Sequence, residues 1–318
     1  MLEHYPKESV EKKEFIGAVG FAEDQGTRET MEDAHVIERN FMGDPKKFYG
    51  AVFDGHHGNQ AAEFAAQNLH KYLSLALEGG SDPVVAMKGA SIITHKKILE
   101  EFSGEEYEDA GTAALAVLAD GKRVYIAHAG DVRAVLVRED SEERLSEDHK
   151  PEDPKEKARI EAAGGKVYQR ARLRLPDGSV VETSDWINPQ VRKEFSLRGA
   201  KVIDKDAVRV YLPGEEGGGI SMSRSFGDAW SNGVMSPEPD VRSIEIKPGD
   251  LKLIIACDGV WNVITDTMAA EIARGKSAQE AAEAIVKEIN SRQKEKGIAQ
   301  DNVTVLVIDL NGQEGGPA

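Results

Sequence analysis

The chain has 318 residues, 40% of them apolar and 30% charged, with a formal net charge of −16. That composition fits a soluble globular protein of one large or two small domains. The acidic balance argues against nucleic acid and anionic membranes as partners, and no apolar run approaches the roughly 20 residues of a membrane helix.

Residues 1–14 read as a polar, solvated tail without the apolar core of a secretory signal. There is no concentrated basic cluster either, so the expectation is a cytoplasmic protein, with the nucleus as the alternative. Residues 15–22 read as the first strand, Gln25 to Asp33 as a polar turn, and residues 34–37 as a second strand. Arg28, Glu32 and Asp33 therefore sit where a hairpin closes. The apolar run from Phe48 to Phe53 ends abruptly in Asp54-Gly55-His56-His57-Gly58. Residues 59–77 follow with Ala61, Ala62, Phe64, Ala65, Leu69, Tyr72 and Leu73 near helical spacing. A carboxylate is parked at a strand's end with imidazoles beside it. Taken alone, Asp-Gly is also a common turn pair, so a plain turn and a metal site both remain open here.

Asp82-Pro83 supplies an N-cap and a first-turn proline for a helix reaching about Phe102, followed by an acidic loop. Residues 112–118, 123–129 and 132–138 read as three strands joined at Asp120-Gly121 and Gly130-Asp131, which predicts a β-meander. Asp153-Pro154 opens a helix that Gly164-Gly165 ends. Residues 166–219 are the least regular stretch and hold Arg170, Arg172, Arg174 and Arg192. A structureless loop of that length is uncommon, so the stretch predicts a functional excursion with short strands of its own. Residues 241–246 and 251–257 read as strands, and the second carries the single cysteine, Cys257, as a packed, inert thiol. Asp258-Gly259 follows at once. Residues 278–291 form an amphipathic helix pattern, Asp301-Asn302 opens a last strand at 303–310, and 312–318 read as a disordered tail. Strands in runs, with helices between the runs, predict one α+β domain over residues 15–311, built of antiparallel sheets covered by helices.

Four acids stand at strand ends: Asp54 and Asp258 close apolar strands, Asp301 opens one, and Glu32 precedes one. If those ends converge, they form a cage of hard oxygen ligands suited to Mg²⁺ or Mn²⁺, because crowded acids without a cation would have to share protons.

Eight short motifs occur in order. They are Arg28-Glu29-Thr30-Met31-Glu32-Asp33, Asp54-Gly55-His56-His57-Gly58, Gly111-Thr112-Ala113-Ala114 and Ala129-Gly130-Asp131-Val132-Arg133. Asp148-His149-Lys150-Pro151, Met222-Ser223-Arg224-Ser225-Phe226-Gly227-Asp228, Ala256-Cys257-Asp258-Gly259-Val260-Trp261 and Asp301-Asn302-Val303-Thr304 complete the set. From about Val19 to Leu310 the chain resembles the metal-dependent serine/threonine protein phosphatases of type 2C. The resemblance implies a β-sandwich of two antiparallel sheets with helices outside and a dinuclear metal site at one edge. It implies that Asp54 bridges two Mg²⁺ or Mn²⁺ ions, that Glu32 and the Gly55 carbonyl bind one, and that Asp258 and Asp301 bind the other. Asp33 would hold a metal-bound water, and Asp131 with Asp258 would take a weaker third ion. Arg28 would clamp the substrate phosphate, and His56 would be the general acid.

The implied reaction is hydrolysis of phosphoserine and phosphothreonine in proteins by a metal-bridging hydroxide, without a phosphoenzyme. Each residue also has a structural reading: Arg28 as a surface arginine, Asp33 as an acceptor for local backbone, Asp131 and Asp228 as turn acids. His57 is assigned no role. The competing function is a pseudophosphatase-like regulatory binding module, which would be expected to lack some metal acids or Arg28. Without a visible oligomerisation seam the expectation is a monomer.

Overall fold

Continuous apolar runs become strands here because both faces of each sheet are covered. The computed structural model describes residues 15–104, 106–107, 109–213 and 219–310. The expected tails at 1–14 and 312–318 lie outside the described residues, as do Gly217 and Gly218 of the excursion. One sheet joins β1 (Ile16–Asp24), β16 (Val303–Leu310), β15 (Asp250–Ala256), β6 (Arg133–Arg138) and β7 (Glu142–Arg144) in that order. The other joins β14 (Asp240–Glu245), β5 (Arg123–Ala129), β4 (Gly111–Asp120), β3 (Lys47–His56) and β2 (Ala34–Arg39), with β13 (Phe226–Gly227) also on β4. The pairings within both sheets are antiparallel.

Alternate side chains divide the interior into three layers. Val52, Leu115, Val117, Ile126, Leu136, Leu253, Ile255, Leu306 and Ile308 meet between the sheets. The opposite face of the second sheet (Tyr49, Ala51, Phe53, Ala114, Ala116, Leu118) packs on α1 (Gln60–Glu78) and α2 (Pro83–Glu101). The opposite face of the first (Val135, Ile254, Val305, Val307) packs on α5 (Asp258–Trp261), α6 (Asp266–Ala273) and α7 (Ala278–Lys296). The helices end where local chemistry dictates. Asp82 accepts from Val84 N at 2.9 Å at the head of α2. Ser277 and Glu280 form a reciprocal capping box at the head of α7. This is the α+β sandwich with helical layers that the sequence predicts.

The meander expected at residues 112–138 does not form as such. β4 and β5 pair, but β6 joins β15 in the other sheet. The chain changes sheet at Gly130, whose φ of 108° turns it across the sandwich. α5 and α6 were not read from sequence, each being too short to show a period. The region 220–228 forms the two-residue β13.

After α3 (Pro154–Ala162) the excursion builds a small subdomain. β8 (Lys166–Tyr168) and β12 (Arg209–Tyr211) pair with each other. Between them β9 (Ala171–Arg174), β10 (Val180–Thr183) and β11 (Lys201–Lys205) form a separate three-stranded sheet beside α4 (Pro189–Leu197). Short strands were expected there; α4 was not.

Candidate metal centre and phosphate site

The acids converge because three strand ends open onto one edge of the sandwich. Asp54 lies near the end of β3, Asp258 two residues after the end of β15, and Asp301 two residues before the start of β16. β15 and β16 are neighbours, with Ala256 opposite Val305, so Asp258 and Asp301 emerge side by side. Asp54 comes from the facing sheet, and the Asp258 backbone N–H donates to its Oδ2 at 3.2 Å. Carboxylate oxygens of Asp54, Asp131 and Asp258 lie within 4.8 Å of one another. Arg28, Glu32, His56, Asp258 and Asp301 line a cleft of about 570 Å³ together with Asp54, Gly55, His57 and Arg209.

Glu32 is delivered by the loop before β2. A Cβ at Gly55 would fall 2.2 Å from the Glu32 carbonyl oxygen, so only glycine lets the two chains approach this closely. Glu32 Oε1 accepts from the Gly58 N–H at 3.1 Å. The loop itself is stapled by Asn302. Its Oδ1 accepts from the Glu32 N–H at 2.9 Å, and its Nδ2 donates to the carbonyls of Gln25 at 2.9 Å and Thr30 at 3.0 Å. Asn302→Ala removes these bonds without touching a carboxylate. We expect it to weaken Mn²⁺ affinity by roughly 10-fold while leaving the protein folded, as read by Mn²⁺ titration and circular dichroism.

Electrostatics set the chemistry of the cluster. Burial, together with the charges of Asp258, Asp33 and Asp131, pushes Asp54 well above the usual carboxylate range. Burial and the Asp131 charge push Asp258 up to about 7, and burial pushes Asp33 up to about 6. Asp33 Oδ2 and Asp131 Oδ1 are buried with no hydrogen-bond partner among the described residues. Crowded carboxylates with orphaned oxygens, and oxygen donors throughout, fit hard divalent cations. The Asp33, Asp54 and Cys257 ligand atoms also cluster, but Cys257 is fully buried and its thiol is pushed up by burial. It acts as packing, accepting from Thr304 N at 3.1 Å.

The third-ion position is more constrained than the resemblance implies. Lys150 Nζ donates to Asp131 Oδ2 at 2.5 Å, and Asn262 Nδ2 donates to Asp258 Oδ2 at 3.0 Å. Neither Lys150 nor Asn262 was singled out as a site residue from sequence.

Arg28 stands at the mouth with its side chain 58% exposed and Nη2 2.8 Å from Asp301. His56 Nε2 lies 2.9 Å from Asp228 Oδ1. Burial alone would lower the imidazole pKa, but the charge and hydrogen bond of Asp228 outweigh it and hold His56 above its ordinary value. His57 packs edge-on against His56, ring centres 5.5 Å apart. Of the excursion's arginines, Arg209 lines the cleft, while Arg170 and Arg172 line a separate pocket on the small sheet. Arg209 lacked any motif to mark it.

A two-sheet sandwich with an acid-lined edge and an arginine at its mouth is the architecture of a metal-dependent phosphohydrolase. The family described as Protein phosphatase 2C matches residues 17–302, and the chain belongs to that family. It is 31% identical over 313 residues to "Probable protein phosphatase 2C 22" of Arabidopsis thaliana, covering 95% of this chain and 71% of that protein. It is 30% identical over 347 residues to the human "Integrin-linked kinase-associated serine/threonine phosphatase 2C", covering 96% and 77%. In fold it resembles a serine-threonine phosphatase 2C from Toxoplasma gondii, with a TM-score of 0.71 at 21% identity over 94% of this chain and 96% of that one. The chain is thus a protein serine/threonine phosphatase of a metal-dependent family, with acids placed to hold metal.

Proposed function

We propose that this protein hydrolyses phosphoserine and phosphothreonine side chains by direct attack of water, with no phosphoenzyme. The observation that carries the reading is the meeting of Asp54, Asp131 and Asp258 within 4.8 Å, with Asp54 and Asp258 lining a cleft that also presents Arg28, His56 and Glu32.

In this reading Glu32, Asp54, the Gly55 carbonyl, Asp258 and Asp301 would hold two magnesium or manganese ions. Such ions would supply an acidified water near neutral pH and positive charge for the phosphoryl oxygens. The chain's own residues do the rest. Asp33, with its free buried oxygen, orients water. Arg28 binds the phosphate through guanidinium N–H groups not spent on Asp301 and steadies the charge that develops on it. His56 gives a proton to the departing serine or threonine oxygen. A third ion at Asp131 and Asp258 would bind more weakly, because Lys150 and Asn262 already engage one oxygen of each.

The binding-module alternative is disfavoured. Arg28 and all the acids are present, and a pure binder has no need of buried, mutually repelling carboxylates. A monomer acting on phosphoproteins, without nucleic acid, suits the net charge of −16. Among the described residues no helix is long and apolar enough to cross a membrane. The test is phosphate release from a phosphothreonine peptide with Mn²⁺ and then with EDTA, alongside rapid acid quench of a reaction on labelled peptide. Metal-dependent release with no label on the protein is expected. Label retained on the protein would overturn direct attack.

A further inference from the structure

By sequence Asp228 reads as a turn acid, and the structure surrounds it with more than a turn requires. Asp228 is 1% exposed, and its backbone is left-handed with φ 59°. Its Oδ1 accepts from Trp230 Nε1 at 2.9 Å and lies 2.9 Å from His56 Nε2, while Ser225 Oγ donates to its Oδ2. The turn is fixed from several sides. Asp228 N donates to the Ala110 carbonyl at 3.1 Å, Gly227 N donates to His95 Nδ1 of α2 at 3.1 Å, and Gly227 sits opposite Gly111 of β4. A Cβ at Gly111 would fall 2.3 Å from both Asp228 Oδ2 and His56 Nε2, so the strand beneath the pair has room only for glycine.

A left-handed position tolerates asparagine as well as aspartate, so the turn alone does not call for a charge. The carboxylate does something specific to the ring. It can only accept, so Nε2 must carry the hydrogen. His56 Nδ1, by contrast, is buried and has no partner among the described residues. The ring is thus held through Nε2 alone.

We propose that Asp228 is the positioning residue for His56, holding the ring through Nε2–H on its carboxylate so that the imidazole keeps one orientation as it gives a proton to the substrate. As the P–O bond breaks, its electron pair goes to the serine or threonine oxygen, which takes that proton. The imidazolium becomes the neutral ring, and solvent restores the proton. The inference rests on His56 being the general acid, and the experiment separates failure of that reading from failure of this one.

The test compares wild type, Asp228→Asn, His56→Gln and the double variant, all saturated with Mn²⁺. Substrates are a phosphothreonine peptide and a series of aryl phosphates graded by the acidity of the leaving phenol. An alkoxide needs a proton to depart, whereas an acidic phenol does not. Asp228→Asn is expected to lower kcat on the peptide by roughly 10–100-fold with KM changed less than about 3-fold, and to cost less than about 3-fold on the most acidic aryl phosphate. The double variant should be no slower than His56→Gln, since the two residues act as a unit. Equal losses of Asp228→Asn on all substrates, or additive losses in the double variant, would overturn the proposal while leaving His56 as the acid. A His56→Gln variant that loses equally on every substrate would overturn both. If Asp228→Asn does not fold, Trp230→Phe removes one donor to the carboxylate while keeping an aromatic ring in place. It should show the same substrate dependence at about 2–5-fold, and a uniform loss would count against the proposal.

Discussion

Asp258→Asn is expected to abolish metal-dependent phosphate release and, at the same time, to make the metal-free protein more stable. Loss of a metal ligand removes several kcal/mol of transition-state stabilisation, which corresponds to a fall in kcat on the order of 1,000-fold or more. The stability change has the opposite sign because Asp258 is a strained acid when no cation is bound. Its pKa is raised from 3.8 to about 7 by burial and by the Asp131 charge. The native state therefore holds protons that the unfolded chain releases between about pH 4 and pH 7. Stability is fully present below that window and falls as pH rises through it. In EDTA, wild type should lose melting temperature between pH 5 and pH 7.5, while the variant, lacking this acid, should lose less. Manganese should raise the wild-type midpoint at pH 7.5 and raise that of the variant far less, since only ligands that bind the folded state stabilise it. Scanning calorimetry at the two pH values reads all of this. A variant that melts below wild type in EDTA at pH 7.5 would show that Asp258 is held by favourable contacts instead of repulsion.

The second large effect concerns the excursion. Tyr168 and Arg209 are cross-strand partners at the open end of β8 and β12. Residues 169–208 therefore leave the body and return beside their point of departure. Replacing them with a two-residue Asn-Gly turn closes β8 and β12 as a hairpin and keeps Val167 and Val210 in the central core. Arg209 stays at the cleft. We expect kcat/KM on a small aryl phosphate to remain within about 3-fold, and kcat/KM on a phosphoprotein to fall about 10-fold or more, because remote substrate contacts are lost. Equal losses on the two substrates would mean that the subdomain supports the cleft and does not engage protein. Arg170 and Arg172 sit on the small sheet away from the cleft, and Arg172 is paired with Asp204. Any contribution from that surface would therefore be to contacts distant from the phosphate.

Much of the site was legible because its signals are local. A strand of apolar residues that stops at Asp-Gly marks Asp54 and Asp258 without any knowledge of what lies across the sandwich. The ordered motifs then supplied their neighbours. What was not legible depends on partners far away in the chain. Asp228 finds His56 across 172 positions, and Asn302 reaches Glu32 across 270. Nothing near either residue announces the contact. The sheet change between β5 and β6 was hidden for a related reason. β6 is buried on both faces except at its last residue, so it shows no polar alternation to say which sheet it joins. By sequence Asp131 reads as a third-ion ligand or a turn acid, and the structure adds the Lys150 ammonium that its position in sequence could not reveal.

The most direct test of the central claim is to count metal against turnover. Metal-stripped protein would be titrated with Mn²⁺ while bound ion is followed by electron paramagnetic resonance and phosphate release from a phosphothreonine peptide is measured in parallel, for wild type and Asp54→Asn. Stripped wild type should release no phosphate, turnover should be full once two tightly held ions are bound per chain, and Asp54→Asn should show neither tight binding nor turnover. Turnover by stripped protein, or by Asp54→Asn at wild-type rate, would contradict the central claim.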